Sequence, residues 1–330
     1  MTFELLLNVL YIIIGVTMVL WGADRLTDGA SSLARRMRIP EMIIGLTIVA
    51  AGTSAPELFV SVASALKGAP DLAVGNVVGS NIMNTLLIVG VTAMVAPMAI
   101  APATVRKDIP FTVGASLLLI VLCLDDFGSL VLAGNTISRL DGFILLAAFA
   151  AFMTYTLRLA RKSGGEMAPV TDIAQASAAA APAPWVSLGW VAIGLACLVL
   201  GSNVFVDAAS FVARQLNVSD SIIGLTIVAG GTSLPELATS VVAARKGRSA
   251  IAIGNVIGSN VFNILMILGL TAVICPMQIG GITFVDLSTM LVSMLVVWFF
   301  CYTKLTVARW EGCVLTAAYI AYAAWLFYQL

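Results

Sequence analysis

Two glutamates, Glu57 and Glu236, each close a short polar break in an otherwise apolar run: Gly52-Thr53-Ser54-Ala55-Pro56-Glu57 and Gly231-Thr232-Ser233-Leu234-Pro235-Glu236. A carboxylate inside such a run costs about 3 kcal/mol on membrane-insertion scales, a penalty that marks a functional residue facing the protein interior. Proline has no amide hydrogen and the neighbouring glycine loosens the helix, so carbonyls ahead of each proline lose their partners and become oxygen ligands. Thr53 and Glu57, four apart, share one helical face, as do Thr232 and Glu236. Asn76, Ser80 and Asn84 form a second row at the same spacing, repeated as Asn255, Ser259 and Asn263.

Every ligand on offer carries oxygen. Such a set suits Na⁺, K⁺, Ca²⁺ or Mg²⁺ and disfavours zinc and copper. Two carboxylates balance one divalent or two monovalent cations. Ca²⁺ accepts an irregular shell of about six to eight oxygens, whereas Mg²⁺ asks for a near-ideal octahedron, so broken-helix carbonyls favour Ca²⁺. Histidine is absent, which removes the usual zinc, haem and imidazole proton-relay chemistry. The five cysteines, Cys123, Cys197, Cys275, Cys301 and Cys313, are scattered singly in apolar segments without metal-ligand spacing. No resident cofactor and no enzymatic activity are expected.

Blander roles compete at several positions. The glycines of GNVVGSN and GNVIGSN also suit close helix packing. Asn76 and Asn255 are able to serve simply as bonds between helices, Asp28 and Asp207 read as interfacial, and the six tryptophans as interface or packing aromatics. The paired glutamates have no comparable structural explanation.

The elements that must position these residues lie in a chain of 330 residues, 60% hydrophobic and 10% charged, with a mean hydropathy of +1.05. Soluble domains carry roughly a quarter charged residues, so the chain belongs in a lipid bilayer. Net charge is zero and no basic run is present, which argues against nucleic acid as a partner. The run from Phe3 to Trp21 lacks a basic flank and reads as a first spanning helix and not a signal peptide.

A shift of 179 positions lays Ile43 to Pro97 over Ile222 to Pro276 without a gap, with 33 of 55 positions identical. The chain is a tandem duplication. Hydropathy predicts an all-α, multi-pass membrane protein of ten transmembrane helices, five per repeat. The first five cover 4–24, 40–66, 71–97, 109–124 and 140–160, and the second five 185–206, 219–244, 249–275, 283–302 and 308–328. Five is odd, so the repeats enter the membrane with inverted topology. The domains are then 1–162, a linker 163–184 rich in Ala, Pro and Gly, and 185–330. Placing both termini outside gathers most Lys and Arg on the cytoplasmic side, leaving Lys67, Arg139 and Arg214 outside. The turn after the first motif carries Lys67, while its counterpart carries Arg245, Lys246 and Arg248, as opposite sides require. Inverted repeats of this kind place a site at the midplane where the halves meet.

GLTIVAAGTSAPE followed by GNVVGSNIMN, repeated as GLTIVAGGTSLPE and GNVIGSNVFN, resembles the two alpha-repeats of the cation/Ca²⁺ antiporter superfamily, most closely the short prokaryotic sodium/calcium exchangers. The resemblance covers essentially the whole chain. It implies antiport by alternating access in the inner membrane, with Na⁺ entry driving Ca²⁺ out. Ca²⁺ and Na⁺ are then bound as transported substrates, the bilayer is the surroundings, and no obligate protein partner is implied. Carried over by position, the Ca²⁺ ligands are Glu57 and Glu236, with the main-chain carbonyls of Thr53 and Thr232. Na⁺ ligands are Ala50, Ser54, Ser80, Ala229, Ser233 and Ser259, the alanines through backbone oxygen, and Asn84 and Asn263 form a central polar pair. Some relatives, K⁺-dependent ones among them, carry aspartate where Asn263 stands, which makes K⁺ co-transport less expected here. The same fold coupled to H⁺ is the alternative, although proton-coupled members typically carry a histidine beside the motif acid. A Mg²⁺ exchanger is a further alternative.

Overall fold

The computed structural model describes residues 2–124, 135–166, 183–216 and 229–329, and they are overwhelmingly helical. Helix α1 runs from Thr2 to Met37, well past position 24 where hydropathy ends the first span. Polar residues such as Asp24 and Asp28 end an apolar window without breaking a helix, which stops only at Arg38, with φ of 55°, ahead of Pro40. Helix α2 covers Glu41–Thr53 and α3 Ala55–Leu66, the two bent by 45° at Ser54. Helix α4 spans Pro70–Val95, strand β1 Met98–Ala99, helix α5 Ile109–Leu122, strand β2 Thr136–Ile137 and helix α6 Arg139–Glu166.

The second part repeats the pattern. Helix α7 spans Pro184–Gln215, α8 Ala229–Thr232, α9 Leu234–Arg245, α10 Ser249–Ile274, strand β3 Met277–Gln278, helix α11 Phe284–Lys304, strand β4 Thr306–Val307 and helix α12 Arg309–Gln329. Most of the expected linker, 167–182, and the start of the expected span 219–244, up to 228, lie outside the described residues. Among the described residues, six helices (α1, α4, α6, α7, α10 and α11) are long and apolar enough to cross a membrane, and the bent pair α2–α3 makes a seventh.

Two features depart from a purely helical, regular expectation. Four two-residue strands form two antiparallel ribbons, β1 with β4 (Met98 opposite Val307) and β2 with β3 (Thr136 opposite Gln278). Each ribbon joins a strand from before the linker to one from after it, and segments this short leave no periodic trace in sequence. In addition, Gly45–Val49 in α2, Met83–Ile88 in α4 and Phe262–Ile267 in α10 are wound as π-helix. Such bulges frequently accompany functional sites.

Burial orders the layers. In the apolar windows of α4 and α10, 78% of residues are buried, against 11% in α1, so the two helices carrying the asparagine rows form the centre and α1 the lipid-facing rim. Helix α10 lies close against α2: a Cβ on Gly258 would stand 2.8 Å from the Leu46 carbonyl oxygen, so packing is one role of that glycine. After α3 and α9 the chain turns at Gly68 and Gly247 with φ of 76° and 72°. Ala69 N bonds Ser64 O at 2.9 Å and Arg248 N bonds Ala243 O at 2.8 Å, matching glycine-dependent C-caps on the two copies.

Candidate functional site

Each glutamate lies in the first turn of a helix restarted after a break. Ser54 (φ −81°, ψ 7°) and Ser233 (φ −91°, ψ 5°) stand at the breaks, and Pro56 and Pro235 occupy the opening positions of α3 and α9, where a missing amide hydrogen does least harm. Glu57 and Glu236 therefore sit at the positive ends of two helix dipoles, which favours their charge. Both are essentially without solvent exposure, at 0% and 1%.

The contacts cross between the two copies of the motif. The Ser54 hydroxyl donates to Glu236 Oε1 at 3.0 Å, and the Ser233 hydroxyl donates to Glu57 Oε1 at 3.1 Å. Thr53 and Thr232 directly precede these two serines, and the Thr53 hydroxyl donates to Asn255 Oδ1 at 3.0 Å. Ser259 lies 3.5 Å from Glu236 Oε1, and Ser80 lies 3.5 Å from the Ser233 hydroxyl. Seven of the expected site residues, Thr53, Ser54, Glu57, Ser80, Ser233, Glu236 and Ser259, thus form one buried cluster, with Thr232 half-buried at its edge. The remaining carboxylate oxygens, Oε2 of both glutamates, have no protein hydrogen-bond partner, and neither do Asn84 Oδ1 nor either amide atom of Asn263. Ion pairs among the described residues involve Asp24, Asp28 and Glu41, and none includes Glu57 or Glu236. Two buried carboxylates with orphaned oxygens and no cationic side chain beside them suit a hard cation held by oxygen.

The asparagine rows divide into two roles. Asn76 Nδ2 bonds Glu57 O at 3.2 Å and Ser61 Oγ at 3.0 Å, and Asn255 Nδ2 bonds Glu236 O at 3.3 Å and Ser240 Oγ at 3.1 Å. Both therefore brace the glutamate backbone across helices, and Asn255 Oδ1 also accepts from the Thr53 hydroxyl at 3.0 Å. Asn84 and Asn263 instead lie in the π-wound turns, fully buried. Asp28 is exposed and paired with Lys246 at 2.8 Å, and Asp207 is exposed.

The expectation that carbonyls ahead of the prolines are free as ligands meets a partial correction. Pro235 cannot donate to Gly231 O, and the Ser202 hydroxyl of α7 takes that carbonyl instead. Position 23, which matches Ser202 in the repeat, is alanine. The Ala50 carbonyl accepts the Ser54 amide at 3.0 Å as in any helix, and the Thr53 hydroxyl lies 3.4 Å from it. Ala229 opens α8, and its side chain lies outside the described residues.

Sequence reading passed over Ser61, Ser240, Asn81, Asn260, Thr85 and Ser202. The first four were accessible, because each is a polar residue identical in both copies at apolar depth, the same signal that singles out the glutamates. Thr85 and Ser202 occur in one copy only, where Ile264 and Ala23 stand in the other, so doubling could not reveal them.

Comparison with known proteins agrees with this geometry. The sodium/calcium exchanger protein family matches over residues 7–158 and 186–328. The chain is 36% identical over 329 residues to the inner membrane protein YrbG of Escherichia coli (strain K12), covering 98% of each chain. It is 33% identical over 345 residues to the sodium/calcium exchanger MaX1 of Methanosarcina acetivorans, covering 97% of this chain and 99% of that one. Among solved structures, the sodium-calcium exchanger NCX_Mj, soaked with Na⁺ and Ca²⁺, superposes with a TM-score of 0.80 at 28% identity, covering 96% of this chain and 98% of that one. With the doubled motif, the helical fold and the buried carboxylate pair pointing the same way, the chain belongs to the sodium/calcium exchanger protein family, as an integral membrane cation antiporter of the prokaryotic type.

Proposed function

We propose that the chain exchanges Na⁺ for Ca²⁺ by alternating access, with Na⁺ entry driving Ca²⁺ out of the cytoplasm. The observation that carries this reading is the crossed pairing, in which the serine of each motif copy holds the glutamate of the other, Ser54 with Glu236 and Ser233 with Glu57. A two-fold exchange of contacts is what two inverted five-helix repeats, 1–162 and 185–330, would produce where they meet. Ten spans, a cytoplasmic linker and both termini outside, in the inner membrane, complete the arrangement. In it Glu57 and Glu236 with the carbonyls of Thr53 and Thr232 hold Ca²⁺. Ala50, Ser54, Ser80, Ala229, Ser233 and Ser259 serve flanking Na⁺, and Asn84 and Asn263 stand between.

Exchange without leak follows from charge. A cation-free site with two carboxylates is opposed by the low-dielectric barrier, whereas a neutralised one can pass through the occluded state. If more than two Na⁺ replace each Ca²⁺, every net charge moved draws about 2.3 kcal/mol from a 100 mV potential. The test is ⁴⁵Ca²⁺ uptake into proteoliposomes loaded with Na⁺, compared with vesicles given a pH gradient alone. Uptake that requires internal Na⁺ is expected. Equal uptake driven by the pH gradient would replace Na⁺ by H⁺ as the coupling ion.

A further inference from the structure

Between α4 and α10 runs a line of hydrogen bonds whose direction is forced by chemistry. The Thr85 hydroxyl lies 2.8 Å from the Asn81 carbonyl oxygen, which can only accept, so Thr85 donates its one proton there. The amide atom of Asn260 that lies 3.0 Å from Thr85 Oγ1 must then be the donor, Nδ2. Asn260 Oδ1 consequently faces Asn84, at 3.2 Å from an atom that must in turn be Nδ2. That leaves Asn84 Oδ1 as the end of the line, buried and without a protein partner, one helical turn after Ser80. The direction holds whichever way the amides are first drawn, because a backbone carbonyl anchors it.

The second motif copy has no such line. Ile264 stands where Thr85 does and offers no hydroxyl. Asn81, the counterpart of Asn260, turns its Nδ2 to its own helix at Val77 O, 2.8 Å away, and its Oδ1 has no partner. Asn263, the counterpart of Asn84, has neither amide atom bonded.

We propose that Thr85 and Asn260 are positioning residues that lock the Asn84 amide with its oxygen toward the cation site, while Asn263 is left free to turn. This rests on the reading of the Glu57–Glu236 cluster given above. The consequence is affinity: a locked oxygen is a ready ligand, whereas an inverted amide would present NH₂ to the carboxylates and compete with the cation for them. The two central asparagines, identical in type, are thereby made unequal by a residue that touches neither cation nor glutamate.

The experiment compares Thr85→Val, which keeps shape and loses the hydroxyl, with Thr85→Ser, which keeps donor and acceptor, in Na⁺-driven ⁴⁵Ca²⁺ uptake by proteoliposomes. Thr85→Val is expected to raise the half-saturating Ca²⁺ concentration about three- to tenfold, the range one net hydrogen bond supports, with the maximal rate within about twofold. Thr85→Ser is expected to match the parent. Asn260→Ala removes the middle of the line without touching Thr85 and should give the same rise, so failure of one variant to fold leaves the other decisive. Parental half-saturation in Thr85→Val or in Asn260→Ala, or a Thr85→Ser that behaves like Thr85→Val, overturns the positioning role. The Glu57→Gln control separates this from failure of the site itself: if it transports like the parent, the cluster reading falls and the inference with it.

Discussion

A carboxylate moved into a low-dielectric interior costs several kcal/mol unless its oxygens are bonded or its charge is balanced, and Glu57 and Glu236 are met only in part. Ser233 and Ser54 bond one oxygen of each, and the two helix N-termini supply partial positive charge. The remaining demand is for cationic charge. Glu57→Gln and Glu236→Gln are therefore each expected to abolish Ca²⁺ uptake while the protein still elutes as a folded species by size exclusion, since an amide keeps the shape and removes half of the balancing charge. Near-parental ⁴⁵Ca²⁺ exchange in either variant would remove that residue from the site. In the proposed site, where Asn263 stands between Glu57 and Glu236, Asn263→Asp adds a third acid to two others. The new group must take up a proton or an additional monovalent cation, so transport by this variant should depend more strongly on pH or on K⁺ than the parent's. An unchanged pH and K⁺ profile in a folded variant would show that Asn263 stands apart from the cations.

Among the elements, the interrupted helices are the ones whose continuity has been given up, and the lost backbone bonds reappear elsewhere. At Gly231 the replacement donor is Ser202 from α7, which ties the packed pair of α1 and α7 to the motif. Ser202→Ala orphans that buried carbonyl and is expected to destabilise the protein by about 1 to 3 kcal/mol, read as a lower thermal midpoint in detergent. A midpoint equal to the parent's would mean that water or a backbone shift supplies the bond. Helix α10 is held to α2 by close approach, and at Gly258 an added side chain meets backbone at 2.8 Å. Gly258→Val should therefore cost about 1 to 3 kcal/mol through overpacking, and because Ser259 is the next residue it should weaken Ca²⁺-dependent protection against heating as well. Retained protection would show that α10 can shift without disturbing the cluster. The surface pairs of Lys246 with Asp24 (2.6 Å) and Asp28 (2.8 Å) join α1 to the turn after α9, but partly exposed pairs contribute little to stability.

At the scale of the whole molecule, the two ribbons and the crossed site bonds run between the part before residue 167 and the part after 182. Those two parts also pack along α1 and α7, where Gly15, Gly22 and Gly29 lie against the backbone of Gly201, Gly194 and Ser187. The proposed topology, read from the charge distribution, puts the 163–184 linker in the cytoplasm. A cysteine introduced at Ser177, in a background with the native cysteines replaced, should be labelled by an impermeant maleimide only when the reagent reaches the cytoplasmic side, as in inverted vesicles. Labelling from the outside of intact cells would reverse the topology.

Much of this was written in the amino-acid order. Hydropathy is a sum over local residues, so the membrane, the apolar helices and their approximate places were legible. The duplicated motif was legible because identical polar residues at apolar depth have no local cause, and it identified the family. Helix ends were less so: α1 extends to Met37 because only Arg38 and Pro40 stop it, and a hydropathy window does not see that. The crossed serine–glutamate bonds, the capture of Gly231 O by Ser202, the two ribbons and the Thr85–Asn260–Asn84 line join residues between 29 and about 209 positions apart. Which copy holds which glutamate, and which of two identical asparagines is locked, depends on distances across the packed core. Those are settled by the joint packing of α2, α4, α9 and α10, and no local pattern along the chain encodes them.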